Sequence, residues 1–140
     1  MAIWHKEYSI EALNQRSHGT LADFLDIHFT EIGDDFLVAH MPVSQKVKQP
    51  IGIVHGGANV VLAETVASTA ANMVVDIENF YCVGLEINAN HIRSVREGVV
   101  RAIAKPFHLG RSTQVWHIEL TDSQGKITAI SRMTASVLAR

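Results

Sequence analysis

The sequence holds a single cysteine, Cys82, so no disulfide can form within the chain. No run approaches the ~18 consecutive apolar residues of a membrane helix. The most apolar region, Ala58 to Val75, is broken by Asn59, Glu64, Thr65, Ser68, Thr69 and Asn72. The first residues, Met1-Ala-Ile-Trp-His-Lys-Glu7, lack the basic start and apolar block of a signal peptide. These absences lead us to expect a reducing, cytoplasmic setting and no membrane contact. Neither charge sign is in excess: twelve Lys and Arg face fourteen Asp and Glu, a formal net charge of −2. That balance argues against a nucleic-acid partner, which calls for a basic excess or stripe. Charged residues are only 19% of the chain, below the ~25% of ordinary soluble domains. Such a chain is expected to hide surface against a second copy of itself. Repeats, low-complexity segments and linkers are absent, and 140 residues are near the modal size of one domain. A single domain over 1–140 is therefore expected.

Ser9 suits the N-cap of a short helix through Glu11, Ala12 and Leu13. Thr20 and Asp23 have the spacing of a second capping pair. From Leu25 to Ile32 apolar and polar residues alternate, as in a half-buried strand. Gly33-Asp34-Asp35 signals a turn, and Phe36 to Val43 reads as the returning strand. After a loop with Gln49-Pro50 comes His55-Gly56-Gly57, then one long Ala-rich helix over about 58 to 75. Being apolar around most of its circumference, that helix is expected to be buried on most sides. Four strands follow: Cys82 to Arg93, Gly98 to Phe107, Thr113 to Thr121 and Ile127 to Leu138. Along the first of these, Val83, Leu85, Ile87 and Ala89 alternate with polar neighbours. No helix separates the four, so an antiparallel meander is expected. The order fits an α+β fold in which a curved antiparallel sheet wraps one central helix.

One carboxylate stands out. In the 27 residues from Gln49 to Val75, Glu64 is the only formal charge. A lone buried carboxylate is costly unless paired, hydrogen-bonded or protonated. Glu64, Ser68 and Asn72 follow one another at i, i+4 and i+8 and share a helix face. Glu64 is either a structural residue paired at a subunit interface or a carboxylate facing a cleft, suited to general-base or nucleophilic work. The preceding residues favour the second. Gly56 and Gly57 begin the helix, where backbone N–H groups lack helical partners and the dipole is positive. Such donors can bind an oxyanion, and Gln49 and His55 add polar side chains nearby. None of the eight histidines forms His-x-His or His-Glu-x-x-His, so no metal is expected. His108-Leu-Gly110-Arg111 is a basic turn, and arginine suits a phosphate because its planar fork makes two hydrogen bonds.

The motifs Gln49-Pro50, Val54-His55-Gly56-Gly57-Ala58 and Leu62-Ala63-Glu64-Thr65 together resemble those of the hotdog-fold acyl-CoA thioesterases. The likeness continues in Ile32-Gly-Asp-Asp35, Met41-Pro-Val43, Val83-Gly84, Glu86-Ile-Asn-Ala-Asn-His91, Pro106 to Arg111 and Gln114-Val-Trp116, essentially the whole chain. The resemblance implies a hotdog fold and hydrolysis of an acyl-CoA or acyl-carrier thioester, with an aromatic or hydroxylated-aromatic acyl group. It implies that Glu64 attacks the thioester or activates water, and that the Gly56 N–H binds the thioester oxygen. Gln49 and His55 would orient and polarise the thioester, Ser68 would help place water or the thiolate, and His91 would lie near the acyl group. Gly57, Val83, Gly84, Arg93, His108, Gly110 and Arg111 are the implied substrate and coenzyme A contacts. No cofactor is implied, since coenzyme A is part of the substrate. The site would be shared between two chains of a homodimer, with dimers pairing into a homotetramer. The chain departs from the resemblance at Ile51, where Phe is expected, at Ile92, and at Ser94, where Pro is expected; the resemblance places these near the acyl pocket or its strand. Two other readings are a hotdog dehydratase, which would make an enoyl thioester without releasing thiol, and a non-catalytic acyl-CoA-binding module.

Overall fold

The computed structural model describes residues 1–140. In chain order the elements are helix α1 (Ile10–Arg16), helix α2 (Leu21–Phe24), strands β1 (His28–Ile32) and β2 (Leu37–Pro42), helix α3 (Gly56–Val74), and strands β3 (Phe80–His91), β4 (Val99–Leu109), β5 (Thr113–Thr121) and β6 (Ile127–Ala139). Ser9 caps α1 as expected: its hydroxyl oxygen accepts from the Ala12 N–H at 3.1 Å. The second capping pair does not form. The Thr20 hydroxyl turns back to donate to the Ser17 carbonyl, and Asp23 accepts from the Gly19 N–H at 2.9 Å instead. The first strand begins later than its alternation suggests. Leu25 and Ile27 are buried, but Asp26 between them has φ +59°, which breaks the extended run.

The six strands form one antiparallel sheet in the order β1-β2-β4-β5-β6-β3. The expected four-strand meander holds only for β4, β5 and β6. Strand β3 lies at the far edge against β6, while β4 pairs with β2. The reason is the path of residues 92–98. The N–H groups of Ile92 and Arg93 both donate to the Thr128 carbonyl, the Val54 N–H donates to Val95, and the Val43 N–H donates to Gly98. The segment therefore crosses the N-terminal end of α3, buries Val95 and delivers the chain to β2. A hairpin would have left that helix end bare. Gly98 makes the final turn with φ +86°.

Helix α3 lies in the concave face of the sheet. Leu62, Ala63, Val66, Ala67, Ala70, Ala71 and Met73 are at most 1% exposed. They meet inward residues of the strands, among them Met41, Ala102, Trp116, Ile118, Leu120 and Met133. Fully burying a Leu, Val or Met side chain contributes about 1.5–3 kcal/mol, and the alanines let the sheet approach the helix closely. This is the hotdog arrangement. The helix is covered less completely than its composition suggests: Val61, Glu64, Thr65, Ser68, Thr69 and Asn72 remain half-buried. None of the helices is long and apolar enough to cross a membrane.

The polar stripe on α3 runs along β3 and β6. Asn72 brackets Cys82: its Nδ2 donates to the Cys82 carbonyl at 3.1 Å and its Oδ1 accepts the Cys82 N–H at 2.8 Å. Nδ2 also lies 2.9 Å from the Ser68 carbonyl. This clamp fixes the start of β3 on the helix. The expected alternation of β3 is broken further on, because a bulge at Leu85 shifts its register against β6. Val83 and Leu85 face out, 41% and 63% exposed, and Gly84 turns under α3. Asn72→Ala would strand the Cys82 N–H, a loss of about 2 kcal/mol. Urea denaturation should show that drop as a lower midpoint with an unchanged slope.

Candidate active site

The chain enters α3 through His55, which donates its backbone N–H to the Val47 carbonyl at 2.8 Å. The His55 imidazole caps the helix, its Nδ1 accepting from the Gly57 N–H at 2.8 Å. That bond puts the ring proton on Nε2 at an exposed edge. The Ala58 and Asn59 N–H groups both reach the His55 carbonyl. Of the four N–H groups that begin the helix, Gly56 alone has no protein acceptor. The Gly57 N–H, expected at the substrate, is occupied by His55.

His91, the last residue of β3, closes over this donor. A Cβ on Gly56 would lie 2.9 Å from His91 Nε2, so glycine is what allows the imidazole to sit there. Gln49 lies in a tight turn with Gly52 at φ +89°, and its Oε1 accepts from the Ile51 N–H. The amide nitrogen of Gln49 is left as its donor end. Gln49, Gly56, Asn59, His91, Ile92 and Arg93 line one cleft of about 290 Å³. Asn59 was not among the expected site residues. It looked like an interruption of an apolar run, yet it is only 6% exposed in the first turn of the helix. A polar residue so placed is itself a signal.

Glu64 follows two turns later, half-buried. Its carboxylate takes part in none of the side-chain hydrogen bonds or ion pairs of the chain; the four ion pairs are His5–Asp76, His18–Asp23, Lys46–Asp26 and Arg101–Glu31. Its carboxylate rests against Gly84, where a Cβ would come within 2.5 Å of Oε2. Met133 packs against the same spot, and Ser68 Oγ lies 3.5 Å from the Met133 sulfur. Glu64 and Ser68 thus share one open face. Eight residues at 1.5 Å each separate Glu64 from Gly56, about 12 Å along the helix axis.

His108, Gly110 and Arg111 lie elsewhere again. The β4–β5 hairpin turns at Gly110, whose N–H donates to the Thr113 carbonyl at 2.8 Å. Arg111 sits at the C-terminal end of α3 with Val75, Asp76 and Phe80. The helix is roughly 28 Å long, so one chain holds Arg111 and Gly56 at opposite ends. The expected site residues therefore fall into three groups within a protomer: the cleft at the helix start, Glu64 with Ser68 and Gly84 in the middle, and the basic turn at the far end. Cys82 belongs to none of them. Burial pushes its thiol up to about 11, so it stays protonated and inert at neutral pH.

Residues 51–129 match the thioesterase superfamily. Over 136 residues the chain is 51% identical to the 1,4-dihydroxy-2-naphthoyl-CoA hydrolase of Escherichia coli, covering 97% of this chain and 99% of that one. It is 43% identical over 136 residues to the proofreading thioesterase EntH of Cronobacter turicensis, covering 97% and 98%. Among solved structures, a mutant thioesterase of Pseudomonas aeruginosa superposes with a TM-score of 0.98 at 43% identity, over 99% of this chain and 100% of that one. A thioesterase of Haemophilus influenzae follows at 0.95 and 42%, over 98% and 95%.

Gly84→Ala isolates the placement of the Glu64 carboxylate. The added methyl meets the far end of a flexible side chain rather than backbone, so the fold should persist with unfolding free energy within about 1 kcal/mol of the parent. Glu64 should swing away from β3, which a crystal structure of the variant would reveal.

Proposed function

Because this chain belongs to the thioesterase superfamily and is a thioester hydrolase of the hotdog fold, we propose that it cleaves a hydroxylated aromatic acyl-CoA with Glu64 as the reacting carboxylate. The observation that carries this reading is a half-buried carboxylate without any partner on the same helix as a free N–H at Gly56. The thioester oxygen is held by the Gly56 N–H at the positive end of α3, with the Gln49 amide and the exposed His55 Nε2–H beside it. Losing one such donor costs about 2.7–4 kcal/mol of transition-state stabilisation in other hydrolases. Glu64 either attacks the carbonyl carbon, expelling the thiolate and forming a mixed anhydride that water then hydrolyses, or takes a proton from a water that attacks the carbonyl carbon directly. In both cases the C–S bond breaks, water supplies the oxygen of the released acid, and the thiolate takes up a proton from that water to leave as coenzyme A thiol. Ser68, one turn beyond Glu64, is placed to hold that water or the departing sulfur. Val83 and Gly84 form the wall of β3 along which the substrate would lie.

Geometry favours a site made by two chains. A thioester carbonyl needs its oxygen donor and its attacking group within ~3 Å of adjacent atoms, and about 12 Å separates them along one helix. Glu64 of one chain with Gly56, Gln49 and His55 of a second satisfies both. Strand β3 supplies the means. It is a 12-residue edge strand with Val83 and Leu85 exposed, the kind of edge that pairs with another chain. Antiparallel pairing of two β3 strands would bring the β3 start and Arg111 turn of one chain beside the His91 end of the other. His108, Gly110, Arg111 and Arg93 would then meet the phosphates of coenzyme A. A homodimer is the smallest complete unit, and a homotetramer would be a pair of such dimers.

The acyl group is read from the cleft and the relatives. Ile53, Val54, Ile92 and Val95 give it apolar walls, and Ile51 and Ile92 form an exposed rim, 68% and 59% accessible. The E. coli relative is named for 1,4-dihydroxy-2-naphthoyl-CoA, a precursor of menaquinone, which makes that thioester the first substrate to assay. The test is thiol release across aromatic, aliphatic and carrier-bound thioesters, with the aromatic acyl-CoA expected to lead. Glu64→Ala should abolish release while the fold persists. Activity within about tenfold of the parent, roughly 1.4 kcal/mol of barrier, would remove Glu64 from the reaction. Arg111→Ala should raise KM for the CoA thioester more than for the truncated pantetheine thioester. Equal effects on the two would take Arg111 off the phosphates.

A further inference from the structure

Asn59 is an expensive residue in its surroundings. It sits in the first turn of α3 among Ala58, Val60, Val61 and Leu62, and the residue is 6% exposed. Its Oδ1 is buried without any hydrogen-bond partner. An orphaned buried amide oxygen destabilises the fold, because it gives up its hydrogen bonds to water and gains none in return. An isosteric leucine would remove that cost and keep the packing. The only side chain Asn59 engages is His91: Asn59 Nδ2 lies 3.4 Å from His91 Nδ1. The opposite ring nitrogen, His91 Nε2, is the one pressed against Gly56.

We propose that Asn59 is a positioning residue for the hydrolysis, holding His91 in the tautomer that carries its proton on Nε2. The Asn59 amide N–H donates to Nδ1, which must then hold a lone pair, and the ring proton is displaced to Nε2. Nε2–H faces the cleft beside the free Gly56 N–H, so two donors converge where a thioester oxygen would bind. His91 thereby acts as a hydrogen-bond donor to the developing oxyanion rather than as a base. The inference rests on the assignment of that cleft to the thioester oxygen. It adds the residue that sets the direction of the His91 proton, and it explains why an unsatisfied amide persists in an apolar helix.

The experiment combines ¹⁵N-histidine NMR of the intact protein with kinetics of Asn59→Leu. The His91 ring signals are identified by their loss in His91→Gln. In the parent, Nδ1 should show the shift of a lone-pair nitrogen and Nε2 that of a protonated one. In Asn59→Leu the two should move towards averaged values as both tautomers populate. The variant should melt at or above the parent temperature while kcat falls at least tenfold and KM changes less than threefold. A merely structural asparagine would lose stability and leave the ring signals where they are. A protonated Nδ1 in the parent, unchanged ring signals in the variant, or kcat within twofold of the parent would each overturn the proposal. The NMR result is independent of turnover, so a failure of Glu64→Ala to stop hydrolysis would count against the site assignment and leave the tautomer measurement to decide this one.

Discussion

Helix α3 carries a free N–H at Gly56 and a free carboxylate at Glu64, separated by about 12 Å along its axis. No rotation of a glutamate side chain closes that gap. The proposed hydrolysis, which needs both groups, would take one from each of two helices. The sheet covers α3 on one side and leaves the other open. This is what the burial shows: the alanine and leucine positions are sealed, while Glu64, Thr65, Ser68 and Thr69 stay half-exposed.

The placement of β3 serves that requirement. Had it formed a hairpin with β4, it would have been buried in the middle of the sheet. The crossing of residues 92–98 over the helix start sends it to the edge instead and brings His91 above Gly56. Two close approaches then define the site, and both depend on glycine. His91 requires the missing side chain at Gly56, and Glu64 requires it at Gly84. Gly84 faces the helix in step with Cys82, and the bulge at Leu85 shifts the register only after it.

Local chemistry was legible in the sequence, and long-range geometry was not. Ser9 announced its helix through a side-chain bond three residues long, and Thr113 to Thr121 matched strand β5 end to end. Glu64 was visible as the one charge in 27 residues. The edge position of β3 was hidden because it is decided by backbone bonds from residues 92–98 to Thr128, Val54 and Val43, partners remote in sequence. The Leu85 bulge was hidden because the apolar alternation of Val83, Leu85, Ile87 and Ala89 is a perfect strand pattern that the register against β6 overrides. His55 was rightly placed near the helix start, but its bond to the Gly57 N–H takes away a donor that a reading of two adjacent glycines would count as free.

Asn59 and Glu64 share one property: each is a buried or half-buried polar group left short of partners. Folded proteins keep such violations where function needs them. Here they lie on the rigid helix, in the first three turns, so their geometry is set by the core. The residues proposed to meet the acyl group lie instead on the Gln49–Ile53 turn and at Ile92, where Ile51 and Ile92 are exposed and Gly52 has a positive φ. Changes at Ile51 or Ile92 would alter which acyl group fits and leave the helix untouched. That division lets a thioesterase scaffold keep one chemistry while its loops take on different substrates.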